Sequence, residues 1–224
     1  MKRERLANRT LPDYTRGEEI FNMVSHIVGG AVGMIALVLC VISAAIRQNV
    51  VGIVSSAVYG ASLIILYAMS SIYHGLKPEL MAKRVFQVMD HCSIFLLIAG
   101  TYTPITLCAL REYSPPLGWS IFGIVWGTAI LGITLNSIDI RTFKTFSGIC
   151  YLIMGWCIVF VWKPTAIALT RGGTALLLSG GICYTIGALF YYFFSKRRYM
   201  HSVFHLFVLL GSILHLLCIL FYVV

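Results

Sequence analysis

The sequence predicts an all-α fold: a seven-transmembrane-helix bundle with a cytoplasmic N-terminus and an extracytoplasmic C-terminus. Three observations predict it. Of 224 residues, 59% are hydrophobic and 11% charged, against about 25% charged in soluble domains, and the mean hydropathy is +0.88. Windows of about 20 residues free of Lys, Arg, Asp and Glu recur along the chain, each long enough for a helical crossing. These windows are apolar on all sides rather than alternating, which excludes a lipid-facing barrel.

Taken in order, residues 1–19 read as a mixed-charge cytoplasmic tail and residues 20–224 as one membrane domain, with no linker, internal repeat or low-complexity tract. Helix 1, near 20–46, is too long for a signal-peptide core and lacks a small-residue cleavage site, so it reads as uncleaved. Its Gly29 and Gly33 provide the small-residue spacing used in helix packing or dimerisation, with packing the expected use. Helix 2, near 51–74, ends in Ser70-Ser71-Ile72-Tyr73-His74. Helix 3, near 85–108, carries Asp90 in its first turns and Pro104 near its end, where proline kinks or finishes a helix. Helices 4, 5 and 6, near 117–136, 146–162 and 174–194, contain no charged residue. Helix 7, near 201–224, opens with His201-Ser202-Val203-Phe204-His205 and contains no Lys for a retinal Schiff base, nor does any other span.

The net charge of +9 comes from seventeen Lys and Arg residues whose placement matters more than their sum. Thirteen fall on one side: Lys2, Arg3, Arg5, Arg9 and Arg16 in the tail, Lys77, Lys83 and Arg84, then Arg141 and Lys144, then Lys196, Arg197 and Arg198. The other side holds Arg47, Arg111, Lys163 and Arg171. The positive-inside rule therefore places the N-terminus in the cytoplasm. Short loops beside membrane spans present no folded basic surface, so nucleic acid is not an expected partner. Seven cysteines lie in or at the ends of spans without a CxxC pair and read as small buried hydrophobes, not disulfides. Only Cys92, two residues from Asp90, has a connection to the candidate site.

Ionisable groups inside spans cost roughly 2.5–3.5 kcal/mol each on insertion scales, so they persist where they pair, relay protons or bind ions. With the orientation fixed, His26, His74, Asp90, His201 and His205 all fall near the cytoplasmic end, within a band on the order of 10 Å deep at 1.5 Å per residue. His201 and His205, at i and i+4, share a helix face about 6 Å apart at Cβ. His74 supplies a third nitrogen from another helix. Three imidazoles leave one position of a tetrahedral zinc open, the arrangement of a catalytic site. Iron, copper and nickel share these ligands, and zinc is the expected ion. Asp90, as the carboxylate inside a span, is placed to hold a water at the metal and accept its proton. Ser70, one turn before His74, faces the same pocket or bonds its own helix. Glu19, Asn22 and His26, at i, i+3 and i+7, make a polar stripe that suits a supporting shell, while an N-terminal Glu also suits the helix dipole. His26 and His91 also read as interhelical hydrogen-bonders. His215, about 15 Å beyond His205 along the helix, reads as polar packing or pocket lining.

These residues resemble the haemolysin III family, a bacterial branch of the progestin and adipoQ receptor superfamily. The resemblance covers essentially the whole chain: Glu19-x-x-Asn22-x-x-x-His26, Ser70-x-x-x-His74-Gly75, Asp90, Ala99-Gly100-Thr101-Tyr102-Thr103-Pro104, and His201-x-x-x-His205. It implies seven helices with the N-terminus inside, a multi-pass protein of the bacterial inner membrane, and zinc held by His74, His201 and His205. It further implies that Asp90 contacts the metal through water and that Ser70 belongs to the site. The superfamily also looks similar to intramembrane ceramidases, which hydrolyse a lipid amide with a comparable zinc, Asp and Ser arrangement. The expected function is a zinc-dependent hydrolase of a membrane lipid amide or ester. A lipid or membrane-state sensor is the alternative, and a pore-forming cytolysin the second. Membrane lipids are the expected partners, with a homo-oligomer as a further expectation.

Overall fold

The computed structural model describes residues 6–194 and 197–224. The predicted basic residues Lys2, Arg3, Arg5 and Lys196 lie outside the described residues. Among the described residues every regular element is helical. We label the helices α1 Arg16–Ile46, α2 Val50–Gly75, α3 Met81–Tyr113, α4 Pro115–Asp139, α5 Lys144–Trp156, α6 Trp162–Phe194 and α7 Met200–Tyr222.

The packing is inverted relative to a soluble bundle. On α1 the large apolar residues Ile20, Val24, Ile27, Met34, Val38 and Ile42 point outward, while Asn22, Ser25, His26, Gly29, Gly33, Ala36, Cys40 and Ala44 are buried. Hydrocarbon solvates the first group as well as a core would, so small and polar residues go inward, where backbones approach closely. Gly29 faces the ring of Tyr67, and Gly33 faces Leu63 and Ile64, so both serve packing of α1 on α2 within the chain. α3 runs through the centre, with Ala99 to Pro104 all buried, and Gly100 lies so close to the Ser62 side chain that no Cβ fits between them.

The start of α1 and the end of α3 differ from the sequence expectation. α1 begins at Arg16, because Thr15 caps it: the Thr15 hydroxyl accepts from Glu18 N at 3.3 Å and Glu18 accepts from Thr15 N at 2.9 Å. This brings Glu18 and Glu19 into the helix, so Asp90 is not the only helical carboxylate near the site. α3 neither kinks to a stop at Pro104 nor ends at 108. It passes through a π-helical turn, Ile105–Leu110, and continues to Tyr113. Proline lacks the N–H for the i−4 carbonyl, yet the helix continues through it into the π-helical turn.

Six stretches, not seven, are long and apolar enough to cross a membrane among the described residues. The expected fifth and sixth windows fall within one 51-residue stretch, Lys144–Phe194. That stretch is not one rod. A tight 3-10 segment, Cys157–Val161, separates α5 from α6, and Thr170 within α6 has φ 58° and ψ −178°, outside helical geometry.

Ahead of α1, the tail crosses the end of the bundle. Arg9 is buried, its guanidinium 3.7 Å from Asp139 at the end of α4, and its carbonyl accepts from Arg84 Nε at 3.1 Å. Thr10 bonds Arg141. Just inside α1, Glu18 Oε1 accepts from Tyr199 N before α7, at 2.6 Å.

Candidate metal centre

α2 ends where α7 begins, and the two helices bring His74, His201 and His205 together. One ligand nitrogen from each lies within 4.8 Å of the others, and all three residues are buried. His201 Nε2 and His205 Nε2 are 3.0 Å apart, as the i, i+4 spacing requires. Two ligands on a tetrahedral zinc with arms of 2.0–2.1 Å are about 3.3 Å apart, so this pair is close to ligand spacing. His74 Nε2 has no protein partner. Its other nitrogen, Nδ1, donates to Glu19 Oε2 at 2.6 Å. A carboxylate only accepts, so the proton stays on Nδ1 and the Nε2 lone pair faces the cluster. The donor set, burial and unpartnered Nε2 fit a divalent metal of zinc's type.

The polar stripe on α1 surrounds this cluster. Asn22 Oδ1 accepts from Ser202 Oγ at 2.7 Å, fixing α7 beside His201. His26 does not hydrogen-bond between helices as expected: it stacks on His205, with ring centroids 3.7 Å apart at 19°, and neither ring nitrogen has a protein partner. Its edge contact with Tyr67 adds a second aromatic neighbour. Ser70 Oγ is buried without a protein partner, so the hydroxyl is not tied to its own helix backbone.

Asp90 is mostly buried, its side chain 14% exposed, with Oδ2 3.9 Å from His91 Nδ1. Its carboxylate is not among the atoms that approach one another within 4.8 Å. Three tyrosines share its field, Tyr14, Tyr73 and Tyr191, and all three rings also border the histidines. Tyr14 stacks on His201 at 5.0 Å and 21°, Tyr73 lies 4.6 Å from His74, and Tyr191 lies 5.5 Å from His201. Burial, then the neighbouring tyrosines and the carboxylates of Glu19 and Asp90, push the Tyr14 phenol well above its ordinary range. It stays a neutral hydrogen-bonding group.

Other expected roles change. His91 Nδ1 donates to Gln87 O of its own helix at 2.9 Å rather than across helices, although its backbone carbonyl accepts from Tyr151. The Cys92 thiol turns toward α4, 3.7 Å from Ile133 O and from Ser137 Oγ, and takes no part in the site. His215 is packing: its Nε2 donates to Leu177 O at 3.0 Å.

Sequence reasoning missed Tyr14 and Lys83. The first sits in the tail, where nothing in its neighbours marks a ring that folds back over α7. The second was counted only as a loop charge, yet it is 1% exposed and its Nζ lies 2.7 Å from Glu19 Oε1. A lysine at the first turn of a helix is unfavourable with the helix dipole, a signal that it has another purpose.

Comparison with known proteins agrees with this architecture. The family described as haemolysin-III related matches residues 14–216. Hemolysin-3 of Bacillus cereus is 41% identical over 206 residues, covering 92% of this chain and 92% of that protein. A hemolysin-3 homolog of Bacillus subtilis (strain 168) is 36% identical over 211 residues, covering 94% and 97%. The human monocyte to macrophage differentiation factor is 26% identical over 169 residues, covering 72% and 67%.

Proposed function

The chain belongs to the haemolysin III family of multi-pass bacterial membrane proteins, and from that premise we propose that it is a metal-dependent hydrolase of a membrane lipid amide or ester. The observation that carries the reading is the His74, His201 and His205 cluster, three buried imidazoles with one nitrogen of each within 4.8 Å of the others.

We place seven crossings in the membrane, with the N-terminus cytoplasmic. The 51-residue stretch would be about 77 Å long as one helix, far beyond the roughly 30 Å hydrocarbon core, so it would hold two crossings divided at the Thr170 break. The basic loops and the histidine layer then share the cytoplasmic side.

His74, His201 and His205 would hold zinc, and the ion, when bound, supplies Lewis-acid polarisation of the scissile carbonyl. The other roles belong to the chain. Glu19 keeps the His74 proton on Nδ1. Asp90 accepts a proton from the attacking water on a carboxylate oxygen and returns it to the departing amine or alcohol as the acyl C–N or C–O bond breaks. The Ser70 hydroxyl, free of its helix backbone, donates to the carbonyl oxygen as negative charge develops there. Tyr14, Tyr73 and Tyr191, whose rings border the histidines, exclude bulk water.

The test is metal analysis of purified protein beside His74→Ala, His205→Ala and Asp90→Ala, with fatty-acid release from a broad lipid panel. Wild type should contain stoichiometric zinc and release fatty acid; the histidine variants should lose the metal, and Asp90→Ala should keep it and lose turnover. Zinc-loaded wild type that releases nothing overturns the hydrolase in favour of a sensor. Dye leakage from protein-treated liposomes would instead favour the lytic activity in the relatives' names.

A further inference from the structure

Lys83 is one of the most deeply buried residues in the protein, and a buried ammonium is costly unless every donor is matched. Here all three can be. Nζ lies 2.7 Å from Glu19 Oε1, 3.0 Å from Tyr73 O and 2.9 Å from Leu76 O, and 4.9 Å from the centroid of the Tyr73 ring. The two carbonyls belong to the last turn of α2 and to its C-cap residue Leu76, at the end that carries the negative pole of the helix dipole. A single cation from α3 thus closes the end of α2 and holds one oxygen of the carboxylate whose other oxygen holds His74 Nδ1.

We propose that Lys83 is a positioning residue of the metal centre, acting through Glu19 on His74. The inference rests on the reading that the histidine cluster binds a metal. Its logic is geometric. Glu19 approaches from the first turns of α1, on a flexible side chain with two free rotamers beyond Cβ, and one hydrogen bond to an imidazole would not fix its plane. With Oε1 bound to an immobile ammonium, only Oε2 is left for His74, and the imidazole is set with Nε2 toward His201 and His205.

Groups that orient a ligand from outside the coordination sphere typically change metal affinity 10–100-fold. The experiment is a zinc titration against a competing chelator on the full chain in nanodiscs, for wild type, Lys83→Gln, Lys83→Met, Glu19→Gln and Glu19→Gln/Lys83→Gln, with thermal unfolding of each metal-free protein. Lys83→Gln retains a donor for the α2 carbonyls and is the milder variant should Lys83→Met fail to fold. The expected result is a loss of about 10-fold in affinity for Lys83→Gln and no further loss when it is added to Glu19→Gln, because the lysine acts only through that carboxylate. A purely structural lysine would instead lower metal-free stability and add its full effect in the double variant. Metal-loaded wild type with unchanged affinity in Lys83→Gln, or additive losses, overturns this inference alone. Wild type that binds no zinc overturns the metal reading and this inference with it.

Discussion

Asn22 joins two histidine-bearing helices through one hydrogen bond, from Ser202 Oγ to its Oδ1 at 2.7 Å, with both residues buried. Removing the donor strands an acceptor in a low-dielectric interior, and interhelical hydrogen bonds in membranes contribute about 0.6 kcal/mol on average and up to about 1.7. Ser202→Ala should therefore destabilise the protein by about 1 kcal/mol, measured as a shift in denaturant unfolding in mixed micelles, and loosen metal retention in the same titration used above. At this scale the sequence was most informative where chemistry and spacing coincided. His74, His201 and His205 could be read because imidazoles are rare at membrane depth and i, i+4 spacing leaves little freedom. Glu19 could be read as a supporting residue because it shares a helix face with Asn22 and His26. Lys83 and Tyr14 could not: their roles depend on chain reversals outside the apolar windows, where periodicity carries no information.

Elements are positioned by small residues as much as by large ones. A Cβ built on Gly60 of α2 would stand 2.6 Å from Leu37 Cα of α1, so the two backbones are in contact there. Gly60→Ala must separate them, and overpacking of this kind costs about 1–3 kcal/mol. Thermal unfolding in detergent should register the loss, whereas Gly123→Ala, with nothing within 4 Å of its added Cβ, should leave the unfolding temperature unchanged. The helix ends show why boundaries were only partly legible. Thr15-x-x-Glu18 is a capping-box signature present in the chain, and it marks the start of α1 at Arg16 more accurately than hydropathy does. The π-helical turn that follows Pro104 has no such signature. In the 144–194 region, hydropathy identifies apolar length but not the 3-10 segment and the Thr170 break that divide it.

For the whole molecule, lipid-facing bulk and inward-facing polarity define the architecture, and charge asymmetry carries the proposed orientation. With the N-terminus cytoplasmic and seven crossings, alkaline phosphatase fused after Val224 should be active, while the same reporter fused after Lys77 should be inactive and a green fluorescent protein there bright. The opposite pattern would place the histidine layer at the outer face. Composition and the basic-loop asymmetry were enough to recognise a helical membrane protein from the chain alone. They could not foresee the tail, whose Arg9 reaches Asp139 and whose Tyr14 reaches His201, because these contacts join segments far apart along the chain.

That separation has a consequence for how the protein comes into being. Glu18 and Asn22 meet Tyr199 and Ser202 across 181 and 180 residues of chain, and two of the three clustered histidines sit on the last helix. While the ribosome is still extending the chain, His74 is already in the bilayer with its Glu19 partner but without the other two nitrogens. On the proposed reading, the cluster would load an ion only after α7 has docked beside α1. A chain that stalls before its final helix leaves a single histidine in place of three, so metal content would report complete biogenesis.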